Sequence, residues 1–140
     1  MPDKLTLKEQ AMVWPFYSAL LAIFFVGLSI RTLRLRQRLR IAIGDGGNKT
    51  MLRAIRAHGN FAEYVPLGLF LIFTCEAAGA PRMFLHTLGV MLVTGRVVHA
   101  FGLSRSREVP GSRVAGMALT FACYLLAAAF LLWRTVMPAG

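Results

Sequence analysis

The distribution of apolar residues divides the chain into four long runs separated by more polar segments. The runs cover residues 11–30, 61–80, 84–103 and 114–133. Each run is about 20 residues long, which at ~1.5 Å per helical residue matches a hydrocarbon core about 30 Å thick. The residue-by-residue alternation that is typical of a membrane β-barrel strand is absent from them. The pattern therefore predicts one all-α domain over residues 1–140, built as a bundle of four transmembrane helices.

Composition and charge narrow the class of protein further. The 140 residues are 56% hydrophobic and 16% charged, and the formal net charge is +10. A soluble protein with this excess of positive charge would first suggest a nucleic-acid partner. Ordinary soluble domains contain about 25% charged residues, so the apolar excess argues for a membrane protein and against nucleic acid.

The basic residues are distributed unevenly between the two sides of the predicted bundle. Residues 31–56 contain eight Lys and Arg residues, and residues 96–113 contain four more. The opposite side has only four, which are Lys4, Lys8, Arg82 and Arg134. Because cytoplasmic connections carry the excess of positive charge, both termini are predicted on the outer side.

A polar stripe interrupts the second predicted helix. Arg53, Arg56, Asn60 and Glu63 follow one another at spacings of three, four and three, so they share one helix face. A carboxylate within a membrane segment is costly and normally faces protein, water or a partner charge, which makes Glu63 a candidate functional residue. The alternative is that Arg56 and Glu63 only hold the bundle together.

The third and fourth helices bring further basic groups to the same depth. Arg96 and His99 share a face near the end of the third helix, and Arg113 opens the fourth. Together with the stripe they form either a ligand pocket or a structural ion-pair network. An amphoteric, peptide-like ligand would suit such a pocket, because arginine pairs with carboxylates and Glu63 with an amine.

Four smaller features carry structural expectations. The second helix is expected to start near Asn48 or Thr50, and Ser112 is a candidate N-cap of the fourth helix. Glu76 is expected to have a structural role near the outer end. Alanines at positions 115, 118 and 122 form a stripe of small residues that favours close helix contact.

Three segments resemble the membrane-associated proteins in eicosanoid and glutathione metabolism, the MAPEG family. They are Arg56-Ala-His-Gly-Asn60-Phe-Ala-Glu63-Tyr64-Val-Pro66, Gly95-Arg96-Val-Val-His99-Ala-Phe-Gly102 and Pro110-Gly-Ser-Arg113. The four spans and the basic first connection agree with the family as well. The sequence most resembles the bacterial inner-membrane branch of the family.

The resemblance implies a homotrimer with glutathione, as cosubstrate, bound between adjacent protomers at the cytoplasmic side. Arg56, Asn60, Glu63 and Tyr64 match family positions that hold glutathione, with Arg56 facing a carboxylate and Glu63 the amine. His99 matches a position that lines the same site. The helix-face argument adds Arg53 and Arg96 to the binding residues.

The implied chemistry is attack by the glutathione thiolate on an apolar electrophile or a lipid hydroperoxide from the bilayer. Arg113 matches the arginine that stabilises the thiolate in the family, and it is the predicted catalytic residue. One residue among Arg31, Arg34 and Arg36 matches another thiol- or carboxylate-contacting position, which the sequence leaves open.

Two departures from the family pattern support a rival interpretation. Leu103 replaces a tyrosine of several catalytic members, and Val114 replaces a serine of one branch. The alternative function is a non-catalytic membrane protein that binds lipid or acts as a scaffold. A small four-span drug exporter ranks lower, because such exporters depend on an acidic residue in the first span and residues 11–30 contain none.

Overall fold

The computed structural model describes residues 12–104 and 110–137, and these form four helices. They are α1 (Trp14–Leu39), α2 (Lys49–Ala77), α3 (Arg82–Ser104) and α4 (Pro110–Val136). The all-α prediction is confirmed over this part of the chain. Ala11, with which the first predicted span begins, lies outside the described residues. Pro110 is already helical, so Ser112 lies inside α4 and the N-cap prediction for it is wrong.

Three of the helices are long and apolar enough to cross a membrane, namely α1, α3 and α4. The second helix, α2, is not among them, because the polar stripe occupies its first half. It has 29 residues and a length of about 43 Å, and it packs against each of the other three helices. By length and composition, three of the four predicted spans are confirmed. Helix α2 belongs to the same bundle because it packs against the other three helices.

Helix α2 begins where the sequence predicts. Asn48 is the N-cap, and its side-chain oxygen accepts hydrogen bonds from the backbone N–H groups of Thr50 at 2.9 Å and Met51 at 3.1 Å. These bonds satisfy two of the amides that a helix start leaves without partners. We call this end of the bundle, where α1 ends and α2 begins, the basic end.

At the opposite end, Glu76 holds the start of α1 from a distance of more than 60 residues in sequence. Its carboxylate accepts hydrogen bonds from the backbone N–H groups of Val13 at 2.6 Å and Trp14 at 2.9 Å. Val13 has no side chain that could cap the helix itself, and a carboxylate at a helix N-terminus also offsets the helix dipole. The structural role expected for Glu76 is thus confirmed.

The central pair α2 and α3 separates the other two helices. Each of them packs against α1 and α4, whereas α1 and α4 do not touch within the described residues. One side of the bundle is therefore built by α2, α3 and α4, and another by α1 and α3. Each side contains a cavity of its own.

Candidate functional site

A cavity of about 280 Å³ lies near the basic end of the bundle, where the polar stripe of α2 meets α3 and α4. Its lining residues are Ile55, Arg56, Gly59, Asn60 and Glu63 from α2, His99 and Leu103 from α3, and Arg113 and Met117 from α4. Five of the eight predicted site residues thus face one cavity. The five are Arg56, Asn60, Glu63, His99 and Arg113.

The charged groups at the cavity are unpaired within the described part of one protomer. Arg56, Glu63 and Arg113 are exposed, and their side chains form no ion pair or hydrogen bond with the described residues. The interpretation of Arg56 and Glu63 as a purely structural ion pair therefore has no support within the protomer. Unpaired charges of both signs around a cavity favour an amphoteric ligand.

The spacing of these charges sets the length of such a ligand. Arg56 and Glu63 are seven residues apart on one face of α2, which corresponds to about 10 Å along the helix. Three extended peptide residues also span about 10 Å. A tripeptide could therefore place a carboxylate at Arg56 and an amine at Glu63 at the same time.

A very close approach of α3 and α4 determines where His99 and Arg113 lie. Gly95 and Gly116 face each other, and a Cβ atom added to Gly116 would lie 2.6 Å from the carbonyl oxygen of Gly95. Only a residue without a side chain fits this position. The contact brings His99, one turn beyond Gly95, against the first turn of α4.

His99 is held there by the backbone of Arg113. The ring atom Nδ1 is 3.0 Å from the Arg113 carbonyl oxygen, and because a carbonyl only accepts, Nδ1 carries the hydrogen. In a neutral ring, Nε2 is then a hydrogen-bond acceptor. His99 is 7% exposed, so its ring is nearly enclosed at the wall of the cavity.

Arg96 lies behind the cavity wall and is only 1% exposed. Its Nη1 atom donates to the side-chain oxygen of Asn60 at 2.7 Å, and Nη2 donates to the Gly116 carbonyl at 3.3 Å and to the Met117 sulfur at 3.2 Å. Its guanidinium also stacks over the Tyr64 ring, 5.1 Å from the centroid. Arg96 therefore holds Asn60 in the cavity wall instead of lining the cavity itself.

Two other predicted binding residues also lie outside the cavity lining. Tyr64 is half-buried beneath Arg96, and the Tyr124 hydroxyl donates to its backbone carbonyl. Arg53 is half-buried one turn before Arg56 and has a partner of its own. The structure therefore separates the eight predicted residues into five that line the cavity and three that surround it.

The sequence prediction missed the apolar part of the lining. Ile55 and Gly59 precede Glu63 at intervals of four residues, and Met117 follows Arg113 by four. Gly59 and Met117 are therefore one helical turn from a predicted residue and Ile55 is two turns from Glu63, and this spacing could have identified them. Leu103, singled out as a departure from the family pattern, lines the cavity as well.

An apolar cavity of about 450 Å³ adjoins the first one on the α4 side. The two share His99, Arg113 and Met117, and the second adds Val114, Ala118 and Phe121. Arg113 thus lies where a polar and an apolar cavity meet. This arrangement leaves space for an apolar molecule beside the guanidinium.

Comparison with known proteins agrees with the motifs. The model of the MAPEG family matches residues 14–133. The inner membrane protein YecN of Escherichia coli strain K12 is 35% identical over 122 residues, which are 87% of this chain and 92% of YecN. YecN of Escherichia coli O6:H1 matches with the same values. The residues matched by the family model include every residue that lines the two cavities.

Proposed function

The chain belongs to the MAPEG family, and on that premise we propose that it is a membrane glutathione-dependent transferase or peroxidase. The observation that carries the proposal is the cavity that Arg56, Glu63 and Arg113 line with unpaired charges. Glutathione binds along α2, with a carboxylate at Arg56 and its amine at Glu63. The side-chain amide of Asn60 forms a hydrogen bond with the peptide backbone of the ligand.

The reaction is attack by the thiolate of glutathione on an apolar electrophile or a lipid hydroperoxide. A free thiol has a pKa of about 8.5, and a nearby guanidinium lowers it, which increases the reactive fraction at neutral pH. Arg113 provides that guanidinium where the polar cavity meets the apolar one. The apolar cosubstrate reaches the second cavity from the bilayer.

We also propose the setting in which this reaction occurs. The protein lies in a bacterial inner membrane, as the name of YecN states for that relative, with both termini on the outer side. The orientation rests on the uneven distribution of basic residues between the two sides, and of these residues Lys4, Lys8, Arg105 and Arg107 lie outside the described residues. The protein forms a homotrimer in which a neighbouring protomer covers the exposed charges of the cavity.

The test is a conjugation assay with glutathione and an aryl halide on purified protein. We expect Arg113→Ala to lower the rate at pH 7 about tenfold. Without the guanidinium the pKa of the bound thiol rises by about one unit, so less of the thiol is present as thiolate. The ultraviolet absorbance of bound thiolate should disappear, while glutathione still binds. Arg134→Ala, which removes the same group from the other end of α4, is the control. An unchanged thiolate signal in Arg113→Ala would exclude Arg113 from the mechanism.

Glu63→Gln should weaken glutathione binding about tenfold, because the ligand amine loses a charged hydrogen-bond partner. Calorimetry in detergent measures the affinity directly. Asp45→Asn removes one negative charge from the α1–α2 loop, away from the cavity, and should leave the affinity unchanged. Equal affinities of Glu63→Gln and the wild type would contradict the proposed placement of the amine.

One observation favours the second candidate function, a non-catalytic protein that binds lipid or acts as a scaffold. Leu103 lines the cavity at a position where several catalytic relatives have a tyrosine, so this wall lacks a hydroxyl group. Under this alternative, glutathione or another ligand binds and no electrophile is turned over. Binding without turnover in the assay above would therefore select it.

A further inference from the structure

A second groove lies on the side of the bundle where α1 packs against α3. It has a volume of about 440 Å³, and most of its lining is apolar: Ile23, Phe24, Gly27, Leu28, Ala100 and Phe101. Two of these side chains are widely exposed, Ile23 at 72% and Phe101 at 59%. The groove is therefore an apolar surface between α1 and α3 that is accessible from outside the protomer.

The groove ends in arginine at the basic end of the bundle. Arg31 lines it there, and its Nη1 atom donates to the Ser104 hydroxyl at 2.5 Å, which fixes the guanidinium between α1 and α3. A further cavity of about 340 Å³ shares Gly27 and Arg31 with the groove. It adds Arg34 and Arg38, so one continuous surface passes from apolar to strongly basic.

The basic part is available to a ligand. Arg34 and Arg38 are exposed and form no hydrogen bond or ion pair within the described ranges. Arg36 differs from both, because it donates to the backbone carbonyls of Ala42 and Gly44 and so holds the loop. The arginines at the groove, Arg31, Arg34 and Arg38, therefore form none of the hydrogen bonds that Arg36 makes to hold the α1–α2 loop.

The position along α1 matches the boundary of a bilayer. Arg31 follows Trp14 by 17 residues, or about 26 Å of helix, which is close to the hydrocarbon thickness of about 30 Å. Ile23 and Gly27 then lie at the depth of acyl chains, while the arginines lie at the depth of phosphates. Basic pockets between helices at this level bind anionic headgroups.

We propose that this surface binds one anionic phospholipid, such as a phosphatidylglycerol. An acyl chain lies in the groove beside Gly27 and Phe101, and the phosphate is held by Arg31, Arg34 and Arg38. A free phosphate would use only the basic part and leave the apolar groove without a role. Within one protomer the site is separate from the proposed glutathione cavity, because the groove and that cavity share no lining residue and α3 lies between them.

Native mass spectrometry of delipidated protein in detergent tests the proposal. Dioleoyl phosphatidylglycerol is titrated against dioleoyl phosphatidylcholine, and wild-type protein should prefer the anionic lipid. Each arginine near a membrane surface contributes roughly 1 kcal/mol, or about fivefold in affinity, so Arg34→Gln/Arg38→Gln should bind phosphatidylglycerol about 25-fold more weakly. Arg40→Gln/Lys49→Gln removes two exposed charges outside the groove and should change the affinity much less.

Gly27→Leu tests the groove separately from the charges. A Cβ atom on Gly27 meets nothing within 4 Å, so a leucine extends into the groove without disturbing the helices. We expect weaker phosphatidylglycerol binding with all arginines intact. Equal binding by Gly27→Leu and wild type, or equal losses in the two double variants, would overturn the proposal and leave nonspecific surface attraction. A Gly27→Leu variant that changes oligomeric state without lipid would assign the groove to a second copy of the chain.

Discussion

Gly116→Ala should lower the stability of the bundle by about 3 kcal/mol, although it adds only one methyl group. The new Cβ atom would lie 2.6 Å from the Gly95 carbonyl oxygen and 2.7 Å from the backbone nitrogen of His99. Both are backbone atoms of a regular helix, so neither can move without moving α3. The helices must therefore separate, and the hydrogen bond between His99 and the Arg113 carbonyl is lost with them.

Gly111→Ala is the matched control on the same helix. A Cβ atom there meets nothing within 4 Å, and alanine has the higher helix propensity by up to about 1 kcal/mol. Gly111→Ala should therefore be as stable as the wild type or slightly more stable. Reversible unfolding by sodium dodecyl sulfate in mixed micelles measures both. Stabilities of the two variants within about 0.5 kcal/mol of each other would show that the α3–α4 contact tolerates a methyl group.

The same contact shows where sequence reasoning is limited. The alanine stripe on α4 predicts a surface of close helix contact, yet Ala115 and Ala118 are exposed within the protomer. The buried residues are Gly116, Thr120, Cys123 and Ala127, which follow one another at helical spacing. Both sets consist of small residues with the same period. Only the position of α3 decides which set is covered, and that position depends on the whole bundle.

Local patterns were sufficient for the elements and for much of the cavity. The Asn48 cap and the shared face of Arg56, Asn60 and Glu63 follow from spacing along one helix. Contacts between distant segments could not be predicted in this way. Glu76 reaches Val13 across 63 residues, and Arg31 reaches Ser104 across 73, because helix packing brings them together.

Arg96→Met should weaken glutathione binding about tenfold without unfolding the protein. The guanidinium donates to the Asn60 oxygen at 2.7 Å, and this bond holds the Asn60 amide that faces the peptide backbone of the ligand. Loss of one such hydrogen bond from a charged donor costs about 1.5 kcal/mol, or about tenfold in affinity. The substitution also leaves the Asn60 oxygen without its donor and removes the cation from the Tyr64 ring.

Stability should respond in the opposite way from binding. Arg96 is a buried cation with no carboxylate among its partners in the described residues, and its Nε atom has no hydrogen bond there. Burying such a charge is unfavourable, and relief of this cost offsets the loss of the hydrogen bonds that Arg96 donates. We therefore expect Arg96→Met to unfold at the same or a higher detergent concentration than the wild type.

The combination of weaker binding and retained stability separates a role in ligand binding from a purely structural role. Arg96→Lys keeps the charge but loses the planar fork that reaches Asn60 and Gly116 together, so it should recover only part of the affinity. Arg82→Met makes the same change at the exposed start of α3 and should leave binding and stability as they are. Loss of stability in Arg96→Met in parallel with the loss of affinity would instead assign Arg96 to the framework. The buried charge would then serve the helix contact, and the unpaired side chains of Arg56 and Arg113 would alone attract the anion.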